Sequence, residues 1–369
     1  MTTSVATLLE SIEAGYALPS SWYTDGSIFE RERDLLRRSW HYGAHTGELA
    51  QPGDQALCQI AGVPIVLLRD DANEIRGFVN ICRHRAHTVV HERGNRPTLD
   101  CLHDGWIYNL DGCLRRAPRA ETEPEFDASE LGLIPVQTAV WGPTVWVNLD
   151  LEAPPFFEWI AGLPELVASH GLDVDAQVHA VEREWEIHAN WKVFLDNAIE
   201  CYHCPTCHPT LSQVLEMDPA LHDLTIGGRY WIWHRVPLRK EALADSPAAP
   251  NGARNPDSVY YYFHWIFPTT YFQYAGPGFD IGTIDVRDVN VIRFRHLAFL
   301  PADTSPAEIE EHERRIDADP TVSEDVAICN RVQLAHEADF APPGRLLPRS
   351  EWLLQHFQRV LIEEVAQRP

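Results

Sequence analysis

Two short cysteine–histidine motifs constrain this chain more than any other feature. The first reads Cys82-x-His84, and after sixteen further residues the second reads Cys101-x-His103 and continues into Asp104. Two thiolates and two imidazoles carried on two tight turns are the ligands of one type of two-iron, two-sulfide cluster. We therefore expect a fold that brings two such turns, each flanked by strands, to one place.

The charge and the termini of the chain narrow its partners and its location. Its formal net charge is −24, whereas binding of phosphate backbones needs a basic surface. No run approaches the about 20 apolar residues that span a bilayer, and residues 1–16 lack the basic start and the apolar core of a signal peptide. We predict a cytoplasmic protein that binds neither nucleic acid nor membrane. In that compartment, clustered cysteines indicate metal before disulfide.

Changes in the residue pattern along the chain predict two domains that follow an N-terminal helical segment. Residues 1–43 favour helices, with Ser27 and Glu30 at capping-box spacing ahead of a helix over 28–40. Residues 44–152 alternate turn signals with short β-rich runs, as in a small antiparallel β domain. These runs lie at 56–60, 64–69, 75–80, 106–109 and 144–148. The fold class is predicted to be α+β.

Residues 153–369 are predicted to form a second domain, with helices on one face of an antiparallel sheet. Its strands are predicted at 178–188, 229–235, 258–267 and 290–300, and its helices at 156–169, 190–203, 306–317, 323–336 and 350–365. Residues 238–257, rich in Ala, Pro, Asn and Gly, are predicted to be a long mobile loop. A lid over a site and a plain surface excursion both remain open for this loop.

A second set of metal ligands lies at the end of the helix predicted over 190–203. Pro205 is expected to end that helix, because proline clashes with the preceding turn and lacks a backbone N–H. The break would let His208 turn back toward His203, so that both imidazoles face one metal. Two histidines and one carboxylate on one face of an iron leave open positions for dioxygen and substrate.

Three cysteines are interleaved with this histidine pair. Cys201, Cys204 and Cys207 have the spacing found in some iron–sulfur ferredoxins. No fourth cysteine follows at a short distance, so we expect these thiols to fill the core as small side chains. A cluster held by the three cysteines remains the alternative.

Taken together, the two motifs resemble those of the Rieske non-haem iron oxygenases, in particular the α (catalytic) subunit. The shared residues are Cys82-Arg83-His84-Arg85, Gly105-Trp106-x-Tyr108-x-Leu110-Asp111-Gly112, Asn190-Trp191-Lys192 and Asn197. The resemblance implies an N-terminal all-β Rieske-type domain and a C-terminal helix-grip (START-like) antiparallel sheet domain with helices. It also implies a [2Fe–2S] cluster, a mononuclear Fe(II), and electrons supplied from NAD(P)H through a separate reductase or ferredoxin.

The resemblance assigns three cluster ligands, Cys82, His84 and Cys101, and places the fourth position at Asp104. His103, one residue early, could supply the missing imidazole. Asp104 could itself bind iron through oxygen, and an anionic carboxylate in place of a neutral imidazole should lower the cluster's reduction potential. As a third reading, the cluster does not assemble stably. The residues leave all three readings open.

For the mononuclear iron, the resemblance assigns His203, His208 and Asp325, with Glu324 as the alternative carboxylate. Glu200 falls at the position that links the cluster of one subunit to the iron of the next in a head-to-tail trimer. We therefore predict a homotrimer. With Asp104 at the cluster, two carboxylates would face each other across that interface and would need to share a proton.

These features predict an oxygenase component that hydroxylates or N/O-demethylates a small organic substrate with O2. Glu200 indicates the branch that acts on choline, betaines and carnitine, and aromatic runs at 230–233, 260–263 and 271–274 could bind a quaternary ammonium by cation–π attraction. An aromatic substrate remains open. The alternative function is a redox-inactive trimeric family member or a single-metal protein, its electron path cut at Asp104. A zinc hydrolase with the same ligands is a further rival.

Overall fold

The computed structural model describes residues 4–239, 260–340 and 342–366, which fall into two compact units. One unit is Leu36–Phe156, and the other combines Met1–Leu35 with Phe157–Pro369. The sequence boundaries after residues 43 and 152 stay predictions. The loop predicted over 238–257 lies outside the described residues, apart from Leu238 and Arg239. Within the described ranges, no helix combines the length and the apolar character that crossing a bilayer requires.

The unit Leu36–Phe156 is built from antiparallel strands. They are β1 His41–His45, β2 Asp54–Ile60, β3 Val63–Arg69, β4 Ile75–Val79, β5 Gly94–Asn95, β6 Leu99–Asp100, β7 Ile107–Tyr108, β8 Leu114–Arg116, β9 Pro135–Trp141 and β10 Thr144–Asn148. One sheet has the order β1-β10-β9-β4-β3-β2-β5, and a small one has the order β6-β7-β8. The first cysteine motif follows β4, and the second lies in the β6–β7 turn. The predicted small antiparallel β domain is therefore confirmed.

The other unit packs helices against one antiparallel sheet. Its strands are β11 Gln177–Ile187, β12 Asp223–Gly228, β13 Trp231–Pro237, β14 Tyr260–Ile266, β15 Thr270–Tyr274, β16 Phe279–Asp288 and β17 Val291–Pro301, in the order β11-β17-β16-β15-β14-β13-β12. The helices of the chain are α1 Val5–Glu13, α2 Ser21–Thr24, α3 Gly26–Arg37, α4 Phe156–Trp159, α5 Leu163–Ser169, α6 Trp191–Ala198, α7 Cys204–Cys207, α8 Pro306–Ala318, α9 Thr321–Glu337 and α10 Trp352–Ala366. Helix α9 contacts both α6 and β11. This architecture confirms the α+β fold class.

Several predicted element boundaries are wrong for local reasons. The helix predicted over 156–169 is two helices, because Gly162 has φ +88° and interrupts it. The helix predicted over 28–40 begins at Gly26 rather than after Ser27, because the Asp25 carboxylate accepts the backbone N–H of Ser27 at 2.7 Å. Eight of the strands described here are not predicted by the sequence pattern, namely β1, β5, β6, β8, β9, β12, β15 and β16.

A buried polar cluster joins the N-terminal helices to α6. The Lys192 ammonium lies 2.8 Å from the Glu32 carboxylate, and both side chains are almost fully buried. The Trp191 indole N–H also donates to Glu32, at 2.8 Å. Nearby, the Tyr23 hydroxyl donates to Asp196 at 2.5 Å. Burial raises the pKa of Asp196 to about 6, although the Tyr23 hydrogen bond acts in the opposite direction.

The raised pKa of Asp196 predicts a pH-dependent stability. The folded carboxyl holds its proton up to about pH 6, whereas the unfolded one loses it near its ordinary pKa of about 4. Its contribution to folding is therefore full below pH 4 and is lost as the pH rises through 6. We expect Asp196→Asn to gain about 1–2 kcal/mol relative to wild type between pH 4 and pH 7. Urea unfolding at both pH values measures this; parallel pH profiles would contradict it.

Candidate metal centres

Three side chains of the larger unit point their ligand atoms at one spot. The ligand atoms of His203, His208 and Asp325 all lie within 4.8 Å of one another. The two Nε2 atoms are 3.0 Å apart, and Asp325 Oδ1 lies 3.6 Å from the first and 3.1 Å from the second. Two imidazoles and one carboxylate arranged in this way match the donor set that non-haem Fe(II) prefers.

Two outer carboxylates and one amide orient the three candidate ligands. Nδ1 of His203 donates to Glu200 at 2.5 Å, and Nδ1 of His208 donates to Glu324 at 2.8 Å. Asn197 donates to Asp325 Oδ1 at 2.7 Å. In each histidine the Nδ1–H is held by a carboxylate, so Nε2 is the atom left to face a metal. Glu324 thus binds the nitrogen of His208 that points away from the candidate metal position, whereas Asp325 lies beside Nε2, which favours Asp325 as the ligand.

The electrostatics of this site favour positive charge at its centre. Burial alone would lower the pKa of His203, but hydrogen bonds to Asp325 and Glu200 raise it to about 9. Burial would also lower the pKa of His208, but its hydrogen bonds to Asp325 and Glu324 and the charge of Asp325 together raise it. Conversely, both imidazoles lower the pKa of the Asp325 carboxyl against the effect of burial. The residues present therefore fit a divalent cation.

The backbone between the two histidines differs from the prediction. Helix α6 ends at Ala198, seven residues before Pro205, so the proline does not terminate it. Instead, Pro205 lies in the first turn of the short helix α7, where its missing N–H would have had no partner. That turn brings His208 back onto His203, which sequence reasoning had anticipated for a different reason.

The structure also corrects the expectation for the cysteines. Cys201 and Cys204 form a disulfide whose short loop contains His203, while Cys207 is a free thiol. The expectation of metal before disulfide is therefore wrong for this pair. Because a bonded thiol is not free to bind iron, the disulfide also argues against the ferredoxin-like reading of the three cysteines.

The two histidines and Asp325 line a cavity of about 210 Å³. Aromatic side chains form much of its wall: Trp185, Phe194, Tyr261, Phe263, Tyr271 and Phe294. Asp280 lines the same cavity, with its carboxylate 3.7 Å from His296. The aromatic run at 230–233 packs elsewhere, with Tyr230 stacked on Trp159 at 3.6 Å.

In the β unit, each cysteine heads a tight turn of the same construction. The backbone N–H of Cys82 donates to the His87 carbonyl, and its own carbonyl accepts from Ala86. Cys101 repeats both bonds with the residues at the same offsets, Trp106 and Gly105. The fourth residue after each cysteine has a positive φ, which is +59° at Ala86 and +71° at Gly105. An alanine adopts this conformation only where its surroundings require it.

The donor atoms of these turns fall into two pairs. The thiols of Cys82 and Cys101 are buried, and burial, with a further contribution from the neighbouring Cys82, raises the pKa of Cys101. The Tyr108 hydroxyl lies 3.3 Å from Cys82 Sγ and accepts the Arg83 N–H. The second pair is more exposed: His84 Nδ1 donates to Asp104 Oδ2 at 2.9 Å. A sulfur pair beside a nitrogen–oxygen pair fits a two-iron cluster with different ligands on each iron.

The His103 side chain contacts Arg85 and Asp104, next to that second pair. Its Nε2 accepts from the Arg85 guanidinium at 3.0 Å, and its Nδ1 is 3.5 Å from Asp104. Arg85 also donates hydrogen bonds to both carboxylate oxygens of Asp104, from Nη2 to Oδ1 at 2.8 Å and from Nε to Oδ2 at 3.3 Å. Hydrogen bonding to Arg85 lowers the pKa of the Asp104 carboxyl.

A β unit with two cysteine-headed turns, and a helix-on-sheet unit with a two-histidine, one-carboxylate cavity, define the class of Rieske non-haem iron oxygenases. Residues 39–135 match the family model of the Rieske [2Fe–2S] domain, and residues 173–367 match that of the ring hydroxylating alpha subunit (catalytic domain). The chain belongs to the ring hydroxylating alpha-subunit family and is an oxidoreductase enzyme. The two matched domains imply a Rieske cluster and a mononuclear iron.

Curated relatives and solved structures agree with this assignment. The chain is 29% identical over 357 residues to a chloroplastic choline monooxygenase of Amaranthus tricolor, covering 94% of this chain and 77% of the relative. It is 31% identical over 214 residues to the carnitine monooxygenase oxygenase subunit of Escherichia coli K12, covering 58% and 57%. A quaternary ammonium Rieske monooxygenase superposes with a TM-score of 0.85 at 21% identity over 99% of both chains. Naphthalene 1,2-dioxygenase from Rhodococcus sp. gives 0.81 at 16%, over 99% and 98%.

Sequence reasoning missed two contributors to these sites. Asp280 lies on β16, a strand that was not predicted, and nothing in its local pattern marks it as facing a cavity. Glu324 was considered only as a substitute for Asp325. Glu324 and Asp325 are consecutive on α9, and they meet the two nitrogens of one ring: Asp325 contacts His208 Nε2 and Glu324 contacts its Nδ1.

Proposed function

We propose that this protein is the oxygenase component of a two-component system that oxidises a small quaternary ammonium compound with O2. The observation that carries the proposal is the convergence of His203, His208 and Asp325 on one end of an aromatic cavity. Support also comes from the curated relatives, whose names specify choline and carnitine. The proposed ligands of the mononuclear iron are these three residues.

An iron bound there would supply the activation of dioxygen, and a Rieske cluster would supply electrons. The chain's own residues have separate tasks. Glu200 and Glu324 hold the Nδ1 protons of the two histidines, which fixes the ring orientations. The aromatic side chains give the cavity an apolar wall beside its polar residues. Substrate would bind against this wall, next to the open iron positions.

The charge of the cavity favours a cationic substrate. Burial and the nearby Asp280 carboxylate raise the pKa of both Tyr261 and Tyr271, so these rings stay neutral phenols. Neutral aromatic faces attract ammonium groups by about 0.5–2 kcal/mol per contact. Asp280 adds a negative charge at the same wall and is largely shielded from solvent. A trimethylammonium group has complementary size and charge.

The test is turnover with a defined panel of substrates. Choline, carnitine and γ-butyrobetaine are compared with naphthalene, using Fe(II)-loaded protein and hydrogen peroxide as the source of oxygen and electrons. The balance is R–H + H2O2 → R–OH + H2O, so the reaction needs neither reductase nor cluster. Product from an ammonium compound supports the proposal. Product from naphthalene alone refutes the substrate class, and no product at all favours a redox-inactive or zinc-dependent relative.

Asp280→Asn is expected to separate charge recognition from cavity shape. The substitution preserves side-chain size but removes the negative charge, so kcat/KM for choline should fall about tenfold, or about 1.4 kcal/mol. The neutral isostere 3,3-dimethylbutan-1-ol has the same shape without the charge, and its turnover should change less than twofold. Peroxide-driven product formation with both compounds measures the difference. An equal loss for the two would mean that Asp280 supports the cavity rather than the cation.

We further propose a homotrimer that receives electrons from a separate reductase. Glu200 already binds Nδ1 of the iron ligand His203 within its own chain. In the proposed assembly, the same carboxylate would face the His84 and Asp104 pair of a neighbouring subunit. The particle mass in solution, measured by light scattering, tests the trimer.

A further inference from the structure

We infer that Asp104 is the fourth protein ligand of the Rieske cluster, so that this chain holds a two-cysteine, one-histidine, one-aspartate cluster. The inference rests on the cluster that the family implies and does not depend on the proposed substrate. It departs from the usual donor set in one atom, an anionic oxygen in the place of a neutral nitrogen. Three independent observations carry it.

The first observation is the position of the carboxylate. Asp104 Oδ2 lies 2.9 Å from Nδ1 of His84, the imidazole that the motif assigns to the cluster. Two donor atoms bound to one four-coordinate iron at about 2.1 Å each lie about 3.4 Å apart at the tetrahedral angle, and about 3 Å apart if that angle narrows to 90°. The nitrogen–oxygen pair therefore has the spacing of two ligands of one metal. The buried thiols of Cys82 and Cys101 would be the ligands of the other iron.

The second observation favours Asp104 over His103. Nε2 of His103 accepts a hydrogen bond from Arg85 at 3.0 Å, and its Nδ1 lies 3.5 Å from Oδ2 of Asp104, the oxygen that contacts His84. Because a neutral imidazole whose Nε2 accepts carries its proton on Nδ1, neither ring nitrogen of His103 is free to bind iron in this arrangement. To bind iron, His103 would have to give up the Arg85 hydrogen bond.

The third observation concerns the charge and the lone pairs of the carboxylate. Arg85 donates to both oxygens of Asp104 and compensates its negative charge. An ionised carboxylate has about four acceptor sites, so these two bonds leave Oδ2 able to bind a metal. Arg85 is thus a positioning residue that aims the carboxylate at His84. The turn that carries Asp104 is closed by the Gly105 N–H donating to the Cys101 carbonyl, which fixes the approach.

Four variants of the full-length protein test the assignment: His103→Ala, Asp104→Ala, Asp104→His and Arg85→Lys. After anaerobic reconstitution with iron and sulfide, acid-labile sulfide is counted and the dithionite-reduced protein is measured by pulsed EPR for directly coordinated ¹⁴N. Wild type and His103→Ala should each hold two sulfides and show one strongly coupled nitrogen. Asp104→His should show two coupled nitrogens and a higher reduction potential. Asp104→Ala should lose most of its labile sulfide, and Arg85→Lys should keep one nitrogen.

Each contrary result overturns the inference in a distinct way. Two coupled nitrogens in wild type, falling to one in His103→Ala, would make His103 the ligand. Full sulfide content with an unchanged spectrum in Asp104→Ala would remove Asp104 from the coordination shell. Absence of labile sulfide from reconstituted wild type, with sulfide gained in Asp104→His, would show a disabled site. None of these readings involves turnover, so peroxide-driven product formation remains a separate measure of the proposed function.

Discussion

Asp325→Ala is expected to lower the affinity for Fe(II) by about 1000-fold or more and to abolish substrate oxidation. Removing an outer partner of a metal ligand already costs about ten- to a hundredfold in affinity, and Asp325 is one of the three proposed direct donors. It is also the anion between the two imidazoles, so its loss leaves two groups of raised pKa without their counter-charge. Competition against a ferrous chelator at pH 7.5 measures the affinity.

Two further variants calibrate this result. Glu324→Gln keeps a hydrogen-bond acceptor for His208 Nδ1 but loses the charge, and should weaken iron binding by the smaller factor of about ten to one hundred. Asp317→Ala changes an exposed aspartate of α8 that pairs with Arg183, and should leave the affinity within twofold of wild type. If Glu324→Gln proved more damaging than Asp325→Ala, the two carboxylates would have to exchange roles.

Lys192→Met is expected to destabilise the fold by about 3–5 kcal/mol. The substitution removes the cation from a buried pair and leaves the Glu32 carboxylate enclosed without its partner. Burial raises the pKa of Glu32 and lowers that of Lys192, so each charge depends on the other to remain ionised. Urea unfolding followed by far-UV circular dichroism gives the change in free energy.

Two control variants remove charges from an exposed ion pair and from both partners of the buried pair. Arg33→Met removes a cation from the exposed pair with Glu30, where about 0–1 kcal/mol is expected. The double variant Lys192→Met with Glu32→Gln removes both charges, while the carbonyl of the introduced amide could still accept the Trp191 N–H. It should recover at least half of the loss. A single variant as mild as Arg33→Met would mean that water reaches the Glu32 carboxylate.

Much of the fold could be predicted because it depends on local patterns. Alternation and turn residues indicated the strands β2, β3, β4 and β10, and periodic apolar residues with helix caps indicated α8, α9 and α10. The missed strands β15 and β16 have no such signal, since Phe279–Asp288 is buried on both faces over most of its length. The disulfide was also missed, because pairing of thiols depends on the backbone path between α6 and α7.

The candidate sites could likewise be predicted where they depend on short sequence motifs, but not where they depend on contacts between side chains. The spacing of His203 and His208 and the position of Asp325 follow from short motifs and their family resemblance, and the structure brings their ligand atoms together. The position of Asp104 was also visible, but three readings remained open. Only the side-chain geometry of His84, Arg85 and His103 distinguishes among them. A cytoplasmic location stays a prediction.

The disulfide has a consequence for how the three proposed iron ligands keep their positions. His203 lies inside the small covalent ring closed by Cys201 and Cys204, and its Nδ1 partner, Glu200, is only three residues away. The restraints on its backbone and on Nδ1 are therefore local in the chain, and Asp325 is its contact from α9. By contrast, the Nδ1 partner of His208 and the third ligand both stand on α9. Undocking of that one helix would release Asp325 and the restraint on His208 together, so retention of metal reports on the docking of α9.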